Sequence, residues 1–205
     1  MHKKLKQKNK GFTLIEILIS IAILVAIISL VGAFQADVFS LNGIIQSGLQ
    51  NQSEAKKIIR PFANEVRSAA PSNLGSYPLI ETASTTFSFY SDTDSDGLRE
   101  MIKYSLDDGT FKKTSITPTG QPLEYDVDNE ETIQVIEDVT NTDIFTYYDS
   151  NYDGATSSNP LPQPVTNSDV RLVKINLIID SDPNKPPEPI EITTQVSIRN
   201  LKDNL

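Results

Sequence analysis

The chain has no cysteine and no tryptophan, and its single histidine is His2. Without cysteine there is neither a disulfide nor a thiolate metal site. With no histidine beyond position 2, His-based triads, Cys nucleophiles and ordinary zinc sites are excluded together. Carboxylates remain as acid–base groups, but no spacing marks a catalytic pair, so the chain reads as non-enzymatic. Basic charge is also scarce: 18 Lys and Arg stand against 27 Asp and Glu, a net −9. Five of those lysines lie in the first ten residues, leaving 13 basic against 27 acidic residues beyond position 11, or −14. Such a surface repels a phosphate backbone, and no nucleic-acid partner is expected. It suits cation binding and solubility outside the cell.

What the chain does have is a long apolar run. From Phe12 to Phe34 the only charge is Glu16, among Ile, Leu, Val and Ala with a few Ser and Gly. At about 1.5 Å per residue this segment makes a helix of about 35 Å, enough to cross the hydrocarbon of a bilayer. Lys3, Lys4, Lys6, Lys8 and Lys10 precede it, which predicts a cytoplasmic N-terminus with the rest of the chain outside. A lone carboxylate so early in a spanning helix is costly and calls for a partner. An Ala-x-Ala cleavage site, as a secretory signal peptide carries, is hard to place after the run.

The sequence Lys10-Gly11-Phe12-Thr13-Leu14-Ile15-Glu16 resembles the prepilin leader of type IV pilins and pseudopilins. The resemblance implies cleavage after Gly11 and methylation of Phe12 by a prepilin peptidase/N-methyltransferase. It also implies an assembly role for Glu16 among other pilin or pseudopilin subunits. In hydrocarbon, Glu16 would pair with the new α-amino group of Phe12, on its own chain or a neighbour, so that neither charge stays uncompensated.

Beyond Phe34 the pattern becomes amphipathic. Val38, Leu41, Ile45, Ala55, Ile59, Phe62, Val66 and Ala69 recur mostly at spacings of three and four, as one helix face does. The expected layout is a leader (1–11), a transmembrane and assembly helix (12–34), its amphipathic continuation (35–70) bent near Pro61, and a β-rich outer domain (71–205). Strands are expected over 85–90, 100–106, 110–116, 132–139, 144–148, 170–179 and 190–199, with Asp107-Asp108-Gly109 as a hairpin turn. The fold class is α+β: a long helix packed on an antiparallel sheet, pilin-like.

Four further segments resemble J-class minor pseudopilins of type II secretion and W-type minor pilins. They are Glu65-Val66-Arg67-Ser68-Ala69, the Asp-rich turn before Tyr104-Ser105-Leu106, Phe145-Thr146-Tyr147-Tyr148-Asp149, and Val196-Ser197-Ile198-Arg199-Asn200. The cysteine pair that closes the C-terminal loop of many pilins is missing.

Two loops carry metal-ligand spacing. Asp92-Thr93-Asp94-Ser95-Asp96-Gly97 places carboxylates at alternate positions before a glycine, as calcium loops do, with Glu100 as a further oxygen. Lys103 stands where an EF-hand has its bidentate Glu, and an acidic turn using Asp side chains to bind local backbone is the plainer reading. Asp149, Asn151 and Asp153 repeat the spacing with one carboxylate fewer. No cofactor is required, and calcium is the one candidate. Tyr147 and Tyr148 alternate, which puts at least one in the core. Two functional readings follow. One is a structural subunit of a type IV filament or type II secretion-like system, held in the inner or cytoplasmic membrane before assembly. The other is a membrane-anchored extracellular, calcium-dependent binding domain that does not polymerise.

Overall fold

The computed structural model describes residues 11–154, 159–184 and 188–201. The basic residues of the expected leader, Lys3 to Lys10, lie outside the described residues, as does part of the expected loop 182–189. The chain divides into two units, one ending at Gln46 and the other beginning at Ser47.

Helix α1 runs over Leu14–Arg67. Leu14 to Gln46 is apolar enough and long enough to cross a membrane, with none of it buried. Ser20 Oγ donates to the Glu16 carbonyl at 2.7 Å and Ser29 Oγ to the Val25 carbonyl at 2.9 Å. These serines therefore satisfy their own hydroxyls within the helix, as lipid exposure demands. Pro61 lies inside α1 without ending it. The sequence predicts an amphipathic stripe from residue 38 onward, yet Val38, Leu41 and Ile45 are exposed. Ile59 is half-buried, and Phe62, Val66 and Ala69 belong to the core. Among the described side chains of the second unit, the core-facing stripe is Ile59, Phe62, Val66 and Ala69. The side chain of Ala55 is outside the described residues.

Among its described residues the second unit holds two antiparallel sheets, where the sequence suggests one. The first is a five-stranded meander, β1 (Leu79–Thr82), β2 (Thr86–Ser91), β3 (Glu100–Asp107), β4 (Thr110–Ile116) and β5 (Glu131–Ile136), in sequential order. The second orders β6 (Phe145–Tyr148), β7 (Leu172–Ile179) and β8 (Ile190–Ser197). Strand β1 has no counterpart among the expected strands. In β7, Val173, Ile175, Leu177 and Ile179 are buried while the intervening residues are half-exposed, the alternation of a strand with one face on the core. Asp107 pairs with Thr110 across the β3–β4 turn. Asp108 and Gly109 both have positive φ, 45° and 74°, the requirement of a two-residue primed hairpin.

Aromatic rings fill the space between helix and sheets. Phe62 from α1 meets Tyr104 edge-on, with centroids 5.1 Å apart, and stacks on Phe145 at 6.1 Å. Tyr147 reaches from β6 to the turn between β1 and β2, donating its hydroxyl to the Ala83 carbonyl at 2.8 Å. Burial drives that hydroxyl's pKa far upward, since the phenolate would lose its hydration. Beneath α1, Glu65 accepts from Lys113 Nζ at 2.6 Å and from the Tyr104 hydroxyl at 2.8 Å. Burial first, and then the Glu65 carboxylate, hold Tyr104 well above the ordinary tyrosine range.

Candidate functional site

The N-terminal region is built around Thr13 and Glu16. Thr13 precedes the first residue of α1, and its carbonyl accepts from Ile17 N at 3.2 Å. Its hydroxyl accepts from Glu16 N at 3.3 Å, while Glu16 Oε2 accepts from Thr13 N at 3.1 Å and lies 3.2 Å from Thr13 Oγ1. This is a reciprocal capping box, which satisfies two donors that a helix start leaves open. The carboxylate also sits at the positive end of the helix dipole. Thr13 was legible in the Thr-x-x-Glu spacing, but sequence reasoning assigned Glu16 to amine pairing alone. Both Thr13 contacts fall on Oε2. Gly11 and Phe12 lie just before the box, and a Cβ at Gly11 would meet nothing within 4 Å among the described residues.

The helix that follows presents its apolar side chains outward. Large hydrophobics from Phe12 to Phe34 are between 49% and 82% exposed, on every side of the helix. An all-round apolar helix of this length needs lipid or other helices around it.

The Asp-rich loop lies between β2 and β3. One carboxylate oxygen each from Asp92, Asp94 and Glu100 falls within 4.8 Å of the other two. Asp96 is not part of this cluster; its Oδ1 instead accepts from Leu98 N at 2.7 Å. Asp92 Oδ1 accepts from Ser95 N at 2.7 Å and its Oδ2 from Gly97 N at 3.2 Å. Asn73, not singled out by its spacing, holds the far end of the loop: it donates to the Gly97 carbonyl at 3.2 Å and accepts from Arg99 N at 2.7 Å. Glu100 is 4% exposed. Its Oε2 takes both Thr93 N at 2.9 Å and Thr93 Oγ1 at 2.8 Å, and its Oε1 has no hydrogen-bond partner among the described residues.

The second loop follows β6. Asp149 accepts from Asn151 N at 2.9 Å and from Asn151 Nδ2 at 2.8 Å, a local turn of the kind Asp favours. Asp149 and Asp153 belong to no cluster of three or more acidic or histidine side chains among the described residues. Tyr148 is buried at the edge of the core, its ring 4.2 Å from that of Tyr152.

A pilin-like α+β architecture is what these elements define: a long apolar N-terminal helix followed by antiparallel β-structure. Residues 6–32 match the family described as the prokaryotic N-terminal methylation motif, the leader of type IV pilins and pseudopilins. Residues 6–32 carry that motif, and the apolar helix fits a membrane-anchored protein. No curated protein matches the chain.

Proposed function

We propose that the chain is a non-enzymatic structural subunit of a type IV filament system, laid out like J-class minor pseudopilins or W-type minor pilins. The observation that carries this reading is the match of residues 6–32 to the N-terminal methylation motif. A prepilin peptidase would cleave after Gly11 and methylate Phe12. Before assembly the subunit stands in the inner or cytoplasmic membrane, its N-terminus cytoplasmic and its β-domain outside. Assembly moves the exposed apolar helix from lipid into contact with the helices of other subunits. The apolar surface stays out of water throughout, so extraction costs little hydrophobic free energy.

Glu16 has two tasks in this scheme. Its Oε2 caps its own helix through Thr13. Its Oε1 is left for the Phe12 amino group of a neighbouring subunit, a charge pair that fixes axial register. Mass spectrometry of the mature N-terminus tests the proposal. A chain beginning at methylated Phe12 is expected. Retention of residues 1–11 in cells that carry the peptidase overturns it in favour of a non-polymerising anchored domain.

A further inference from the structure

We propose that Asp92, Asp94 and Glu100 form a calcium site at the β2–β3 loop. The inference stands on two independent observations and does not rest on the filament assignment. The first is convergence: three carboxylate oxygens from two ends of a loop lie within 4.8 Å of one another. Three oxygens at that mutual spacing stand at most about 2.8 Å from their common centre, so a closure of a few tenths of an ångström brings them to the roughly 2.3–2.6 Å of calcium ligands. The second is Glu100 Oε1, which is buried and without a hydrogen-bond partner among the described residues. Thr93 occupies Oε2 with both its amide and its hydroxyl, which leaves Oε1 as the atom that a cation would satisfy. An ionised oxygen removed from water without a donor is costly, and a divalent ion removes that cost.

Ligand chemistry selects the ion. The site offers hard oxygen donors and neither nitrogen nor sulfur, which excludes zinc-type ligation. Calcium accepts irregular arrangements of six to eight oxygens, completed here by water and loop carbonyls, whereas magnesium demands a near-ideal octahedron. The backbone bonds to Asp92 do not block it, because a carboxylate has about four acceptor positions and the Ser95 and Gly97 amides take one on each oxygen. Asp96 is turned to Leu98 N and is left out of the ligand set. Bound calcium would tie the loop to the first residue of β3, next to the Asn73 bonds that tie it to the segment following α1.

The test uses the full chain in detergent. Calorimetric titration with calcium chloride is expected to show one site, and the melting temperature is expected to rise in calcium relative to chelator. Asp94→Asn, on an exposed side chain, is expected to weaken calcium binding by about tenfold or more. Glu100→Gln keeps an acceptor for Thr93 but loses the charge, so it is expected to fold and to lose the calcium-dependent rise. Asp96→Asn and Asp153→Asn are expected to bind as the parent chain does. No heat and no shift in melting temperature with calcium would overturn the site. An Asp96→Asn loss equal to that of Asp94→Asn would overturn the assigned ligands. A magnesium response equal to the calcium response would overturn the choice of ion.

Discussion

Lys113 on β4 and Glu65 on α1, 48 residues apart in sequence, form a buried ion pair at 2.6 Å. The carboxylate's second oxygen takes the Tyr104 hydroxyl, so helix, β3 and β4 meet at one charged centre beneath the aromatic cluster. Breaking one side strands the other charge. Glu65→Leu or Lys113→Met is expected to destabilise the folded unit by about 3–5 kcal/mol. The double variant Glu65→Leu/Lys113→Met is expected to cost less than either single change, because no lone charge remains. Urea unfolding of the four proteins in detergent, followed by near-ultraviolet circular dichroism, measures the cycle.

Tyr104 and Tyr147 make stability fall in alkali. Burial, with Glu65 beside Tyr104, raises both hydroxyls above their ordinary value of about 10. Below pH 10 both states hold these protons, and the stabilisation is fully present. As pH rises past about 10 the unfolded chain releases them while the folded chain does not, so stability drops from there upward. Tyrosinate absorbance of these two residues is expected only together with loss of the near-ultraviolet dichroism. All seven tyrosines ionising in a still-folded protein would contradict their burial. Tyr104→Phe is expected to flatten the alkaline decline.

Gly109 is required by its turn. Its φ is 74°, and a Cβ there would stand 3.3 Å from the Val139 carbonyl oxygen. Val139 N meanwhile donates to the Gly109 carbonyl at 2.9 Å, so the backbone cannot move away freely. Gly109→Ala is expected to cost about 1–2 kcal/mol, read as a lower urea midpoint.

Capping and assembly at Glu16 can be separated. Glu16→Leu is expected to leave processing and membrane residence intact but to exclude the subunit from sheared filaments, since the Phe12 amine of a neighbour would be buried without its counter-charge. Thr13→Val removes the capping hydroxyl, at a cost of about 1 kcal/mol to the helix start, but keeps the carboxylate. It is expected to assemble. Equal exclusion of Thr13→Val and Glu16→Leu would assign the effect to helix capping instead of charge pairing.

Much of the secondary structure was legible because its causes are local. Strand β7 shows its alternation, Asp108-Gly109 its primed turn, and the apolar run from Phe12 its helix. The run of Thr13 to Glu16 even carried its capping box openly. Boundaries moved by a few residues where pairing, not propensity, decides: β5 ends at Ile136 and not at 139, and Val139 bridges Ile179 of the other sheet instead. Strand β1 was missed since four residues, Leu79–Thr82, are too few to show a period. They become a strand by hydrogen bonding to β2.

By itself the sequence determined the N-terminal motif, the apolar helix, the acidic and cysteine-free composition and the place of most strands along the chain. Each follows from composition or from neighbours within a turn or two of chain. Only the tertiary structure decided that the described strands form two sheets, that Phe62, Val66 and Ala69 of the helical stripe enter the core, and that Glu65 faces Lys113. It also divided the Asp-rich loop, bringing Glu100 to Asp92 and Asp94 while leaving Asp96 on its own backbone. Spacing says which residues are close along the chain. Which oxygens converge, and which are stripped of water, depends on contacts between distant segments, and those exist only once the core has closed.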